Sequence, residues 1–185
     1  MKKIVMASLA TAAAMAASPA MAASTDTKDF DINARVTQEC SMENPSNINL
    51  GSLSINRAPG SDALLLNEVA QSDVQNVWMS CNYDADISIT TLNRALKTTS
   101  PVTDTAQFTD TIHYGITLVP GTPGAFTGFG SFKPRVQPLV KTIPQVAEFH
   151  DNAQLSVRLE ALNVNNKRPV AGAYTDTVTI TLGTI

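Results

Sequence analysis

Two cysteines, Cys40 and Cys81, and two histidines, His113 and His150, are the side chains of this 185-residue chain best suited to redox, metal or proton-transfer chemistry. Their spacing argues against all three. The cysteines are not arranged as Cys-x-x-Cys, and neither histidine lies near a cysteine or a cluster of carboxylates, so neither a redox pair nor a metal site is expected. No Gly-x-Ser-x-Gly, phosphate-cradling glycine loop or His-Glu-x-x-His occurs, which leaves no nucleophile with a base. Catalytic residues, metals and cofactors are therefore all expected to be absent, and the chain is not read as an enzyme.

The role left to the cysteines depends on compartment. Residues 1–22 begin with Lys2 and Lys3, continue through an Ala-rich apolar run and end at Ala20-Met21-Ala22, the layout of a secretory signal peptide cleaved after Ala22. In an oxidising exported compartment an even pair of cysteines forms a single structural disulfide, Cys40–Cys81. Cleavage leaves 163 residues (185 less 22) and moves the net charge from −3 to −5. That length suits one domain with a real core. An acidic surface gives no electrostatic reason to bind nucleic acid or anionic lipid.

The elements that position these residues follow a period of two, so the expected fold class is all-β. Ile48, Leu50, Leu53 and Ile55 suggest an early strand region broken near Gly51, and Val77 to Cys81 a second. Ile87 and Ile89 mark a third, and Ile112, Tyr114, Ile116 and Leu118 a fourth, ended by Pro120-Gly121-Thr122-Pro123-Gly124. Leu155, Val157, Leu159 and Ala161 form another, and Ala173 to Leu182 closes the chain with Thr175, Thr177, Thr179 and Thr181 on its wet face. One helical stretch is expected at Asp62 to Val69. Seven or eight strands with one bridge suggest an immunoglobulin-like β-sandwich. Phe126, Phe129 and Phe132, interleaved with Gly128 and Gly130 and followed by Lys133 and Arg135, read either as a surface binding patch or as aromatics closing one end of the sandwich. Trp78 and Tyr83 are expected to pack in the core around the disulfide rather than to form a sugar platform.

Between the leader and Cys40 lies a further alternating segment, Phe30-Asp31-Ile32-Asn33-Ala34-Arg35-Val36. Phe30, Ile32, Ala34 and Val36 share one face of an extended strand, and no hairpin partner is evident. Asp26 and Lys28 continue that face but are polar, which shortens its apolar part. An apolar strand with no partner in its own domain can be lent to another chain, whose incomplete sheet it would complete. A first strand packed within its own domain is the alternative.

The signal peptide, the Phe30-Ile32-Ala34-Val36 stretch ending four residues before Cys40, the second cysteine Cys81 and the terminal Gly172-x-Tyr174-x-Asp176-x-Val178-x-Ile180 pattern together resemble a spore coat protein U-like domain. That group includes pilin subunits of archaic, Csu-type chaperone-usher pili. The resemblance implies a signal peptide at 1–22, a donor strand at 23–36 and an incomplete immunoglobulin-like β-sandwich at 37–185, completed by donor-strand exchange. Phe30, Ile32 and Ala34 would be donor side chains and Val36 the junction with the core. Implied partners are a periplasmic chaperone, an outer-membrane usher and related subunits joined head to tail in a cell-surface fibre for attachment and biofilm formation. Two alternatives stand beside it: a secreted or coat β-sandwich protein that does not polymerise, and an adhesin module binding carbohydrate or another surface. A chain with room for one domain favours a shaft or adaptor role over a two-domain tip.

Overall fold

The computed structural model describes residues 25–67, 69–160 and 167–183. The expected leader, Ala23 and Ser24 of the expected donor segment, Glu68 of the expected helix, and Ala161 of one expected strand lie outside the described residues. The chain divides into two compact units, 1–35 and 36–185. Within the first, residues 25–35 form no strand. Phe30 and Ile32 are 82% and 85% exposed, and Lys28 pairs with Asp26 at 2.8 Å. Without a ladder partner the alternating segment buries neither of its faces.

The second unit is all-β, with twelve strands and no helix among the described residues. Five of them form an antiparallel sheet: β1 (Cys40–Met42), β2 (Gln75–Cys81), β10 (Phe149–Leu159), β7 (Tyr114–Val119) and β8 (Phe129–Phe132), in that spatial order. A second antiparallel sheet places β3 (Asp86–Thr91) between β12 (Val178–Gly183) and β9 (Val140–Pro144). Two small ribbons complete the set. They pair β4 (Leu96–Lys97) with β6 (Thr111–Ile112) and, in parallel, β5 (Phe108–Thr109) with β11 (Arg168–Pro169).

One contiguous core joins the two main sheets. Val77 and Met79 of β2, Ile116 and Leu118 of β7, and Ala153, Leu155 and Val157 of β10 meet Ile87 and Ile89 of β3 in it. Burial alternates residue by residue along β2, β7 and β10, as expected of strands with one face on a core and one facing water. The disulfide forms as the cysteine arithmetic requires. Cys40 and Cys81 are direct cross-strand neighbours of β1 and β2, with Cα atoms 4.2 Å apart.

Several expectations need correcting. Asp62 to Val69 is not a helix. Its start is a turn, with Ala63 N bonding Gly60 O at 3.2 Å and Leu64 held at φ +65°, and Leu66 makes a single bridge to Ile55. The Ile48 to Ile55 region is not a strand either, apart from that bridge. It is held by side chains: Gln75 accepts from Ser46 N and donates to Ser46 O, each at 3.0 Å, and Asn49 Oδ1 caps Gly51 N at 2.9 Å, where φ is +72°. The closing strand starts at Val178 rather than Ala173.

Phe126, Phe129 and Phe132 are buried, which rules out a surface patch. Phe126 packs on Phe149 at 5.4 Å and Phe129 on Phe132 at 6.2 Å. Trp78 departs in the opposite direction. It is 48% exposed on the outer face of the five-stranded sheet, while Tyr83 packs partly buried against the core.

Candidate functional site: a groove beside an open strand

The terminal pattern singled out in the sequence organises one side of the domain. Gly172 lies where a Cβ would strike the hydroxyls of Thr98 and Ser100, so only glycine fits without displacement. Tyr174 donates its hydroxyl to Val170 O at 2.7 Å, anchoring the turn that precedes the strand. Burial and the nearby Asp110 carboxylate push its pKa up to about 12. Asp176 accepts from Tyr114 Oη at 2.7 Å, from Asn93 N at 2.9 Å and from Thr177 N at 2.8 Å. Burial, reinforced by that carboxylate, drives the Tyr114 hydroxyl far above the ordinary tyrosine value, so it remains a donor at all physiological pH.

These anchors hold the backbone that leads into β12, which has β3 as its sole neighbour among the described strands. Upstream of β12, Thr175 exchanges both of its backbone bonds with Lys97, at 3.0 and 2.9 Å, and Thr177 O accepts from Leu92 N at 2.9 Å. By antiparallel alternation the odd-numbered residues face β3, so Val178, Ile180 and Leu182 turn their N–H and C=O groups to the opposite, open edge.

Beside that edge runs a groove of about 1300 Å³. Ile112, Tyr114, Leu155 and Val157, all buried, form its base, and one side is built from Tyr174, Val178 and Ile180. The other side is Met42 at the end of β1 and the strandless stretch carrying Ile48, Leu50 and Leu53, each only partly buried. Val178 remains 37% exposed. The groove is thus lined largely by apolar side chains and bordered by a strand edge with no ladder partner among the described residues, a combination suited to an extended peptide rather than to a small polar substrate.

The residues singled out for chemistry do not converge. The disulfide lies at the β1–β2 pairing. His150 is exposed and stacks on Trp78, whereas His113 lies between β6 and β7. Burial, aided by the Arg135 guanidinium and opposed by Glu160, holds the His113 imidazole below its ordinary pKa. Among the described residues no three His, Cys, Asp or Glu side chains are grouped as a metal site. Phe30, Ile32, Ala34 and Val36 are all exposed.

Sequence reasoning found the terminal pattern and missed the facing wall at Ile48 to Leu53, whose apolar spacing was assigned to a strand of the sheet. The interruption at Gly51 was the signal that this stretch does not pair. Neither a comparison with protein-family models nor a search of curated proteins returns a match for this chain.

Proposed function

We propose that this protein is a structural subunit of a chaperone-usher fibre, an incomplete immunoglobulin-like sandwich completed when the Phe30 to Val36 strand of one subunit enters the groove of the next. The observation that carries this reading is the apolar groove bordered by the open edge of β12. The exposed alternating segment of the same sequence supplies what such a groove takes. Seven residues from Phe30 to Val36 span roughly 23 Å when extended, enough to pair along all six residues of β12, Val178–Gly183. Phe30, Ile32 and Ala34 would enter the groove and Val36 would remain at the junction.

Burying Phe30 and Ile32 across the boundary is worth about 1.5–3 kcal/mol each before ordering costs, and the ladder along β12 adds main-chain bonds. A head-to-tail contact between unlike surfaces does not close on itself, so it propagates into a filament. In this reading the chain passes through the periplasm bound to a chaperone, is assembled by an outer-membrane usher and serves at the cell surface in attachment and biofilm formation.

The test is expression of the mature chain in the periplasm with a chaperone-usher system, followed by denaturing gels of unheated and heated samples. Regularly spaced multimers that collapse on heating are expected. Ile32→Asp should abolish them while chaperone-bound monomer persists, because a carboxylate cannot be buried unpaired in an apolar groove. Normal multimers from Ile32→Asp, or a stable monomer that needs no chaperone, would overturn the proposal, and the second result would favour a self-contained secreted protein.

A further inference from the structure

The outward face of the five-stranded sheet carries a second set of chemically matched groups. β2 turns Asn76, Trp78 and Ser80 away from the core, between the buried Val77, Met79 and Cys81. β10 does the same with His150, Asn152 and Gln154. The register places Asn152 opposite Trp78, Ser80 opposite His150 and Asn76 opposite Gln154. The rings of Trp78 and His150 stack with centroids 4.9 Å apart and planes inclined by 22°, which fixes the indole on the sheet. Nearly half of the Trp78 surface still faces water.

A large indole held rigid and half exposed adds less to folding than a buried one, since nearly half of its area stays wet. It is well suited to recognition. A pyranose ring presents a face of C–H groups that lies flat on an aromatic ring and a rim of hydroxyls that are both donors and acceptors. Side-chain amides match such a rim, because each offers two donors and an acceptor in one plane. Asn76, Asn152 and Gln154 supply three amides around Trp78. Asn152 Oδ1 is covered and accepts no hydrogen bond from the described residues, so a ligand hydroxyl reaches this amide only after its side chain turns outward.

Charge selects the ligand class. The outward positions flanking Trp78 on both strands carry amides, a hydroxyl and an imidazole, and the Glu43 carboxylate accepts from Trp78 N at 3.4 Å. An anionic sugar would meet that carboxylate at the edge of the patch. We infer that the sheet face centred on Trp78 is a binding platform for a neutral saccharide. It lies on the opposite face of β10 from the groove-lining Leu155 and Val157, so a strand seated in the groove would not cover it.

Trp78 is the only tryptophan in the chain, so its emission reports the site directly. The mature chain is titrated with cello-, chito- and manno-oligosaccharides, with oligogalacturonate as the anionic comparison, and binding is followed by tryptophan emission and calorimetry. At least one neutral oligomer should shift and quench the emission with saturation, and oligogalacturonate should not. In calorimetry Trp78→Ala should weaken binding roughly tenfold or more, as loss of a central aromatic anchor does, and Gln154→Ala should weaken it less. Because Trp78 is half exposed, Trp78→Ala should melt close to the parent. No saturable response to any neutral oligomer, tighter binding of the anionic one, or unaltered affinity in folded Trp78→Ala would overturn the inference.

Discussion

Removal of the Cys40–Cys81 bond tests how the domain is held at the root of its N-terminal segment. The bond spans 41 residues of sequence. On the chain-entropy model a loop of that length gives an unfolded-state restriction of about 13 cal/mol/K, or about 4 kcal/mol at 25 °C. β1 has only three residues and pairs with β2 alone, so few ladder bonds replace the covalent link. For a domain near 150 residues, about 4 kcal/mol lowers Tm by roughly 8–16 °C. The paired change Cys40→Ser with Cys81→Ser avoids a stray thiol, and it should show this drop in a thermal scan together with lower periplasmic yield. Hydrogen exchange should also quicken at residues 40–42, where β1 frays, ahead of β7 and β10. A melting point within about 2 °C of the parent, with unchanged protection in β1, would refute the reasoning, because it would mean that the β1–β2 ladder holds without its cross-link.

Two further outcomes follow from single residues. Asp151 is buried, and burial alone would raise its pKa, but amides of Thr122, Asn152 and Gly121 together with the Thr122 side chain outweigh this and hold it below 3.8. A depressed folded value stabilises the fold above the unfolded pKa, and the gain is lost as pH falls through 3.8 toward the folded value; Asp151→Asn should flatten that acid limb of a urea-midpoint profile, and an unaltered limb would count against the assignment. Gly128, just before β8, approaches β7 so closely that a Cβ would meet Leu118 O and Val119 Cα, whereas Gly130 within β8 has open space. Gly128→Ala should therefore cost about 1–3 kcal/mol in overpacking and Gly130→Ala much less, a contrast that paired thermal melts would settle.

Much of the sheet was legible because its central strands alternate cleanly. Val77 to Cys81, Ile87 to Ile89 and Tyr114 to Leu118 keep apolar residues at every second position, and all are strands. Where polar groups sit inside, the pattern breaks. β10 begins six residues before Leu155 because the inward Asp151, bonded to Thr122 N at 3.0 Å, masks the alternation. Phe129 and Phe132 are three apart and cannot share a face of a regular strand. A register shift opposite Ile116 and Leu118 turns both inward, and Gly130 between them was the only local sign of it. Trp78 could have been placed by parity: Cys81 must face its bonded partner, so Val77 and Met79 share its side and Trp78 does not. The groove was less legible than the strand proposed to fill it, since its second wall is irregular chain held by Gln75 and Asn49.

The edges of the two main sheets offer an argument independent of any one side chain. An unpaired edge invites association with other chains, and proteins commonly blunt it by shortness, charge or proline. β1 is three residues long, and β8 is four, contains Gly130 and runs into Lys133 and Pro134. β9 carries Lys141 and Pro144 and follows Pro138. Only β12 lacks every such device: from Thr177 to Gly183 there is no charge and no proline, and the strand is six residues long. The same edge borders the apolar groove. A sequence that guards three edges and leaves the fourth bare, next to exposed Val178 and a row of threonines with high strand propensity, is under no pressure to keep strands away from that place. Such asymmetry favours an edge meant to be paired, which is why the proposed donor strand is assigned to β12 and not to β9, although β9 also shows exposed Val140.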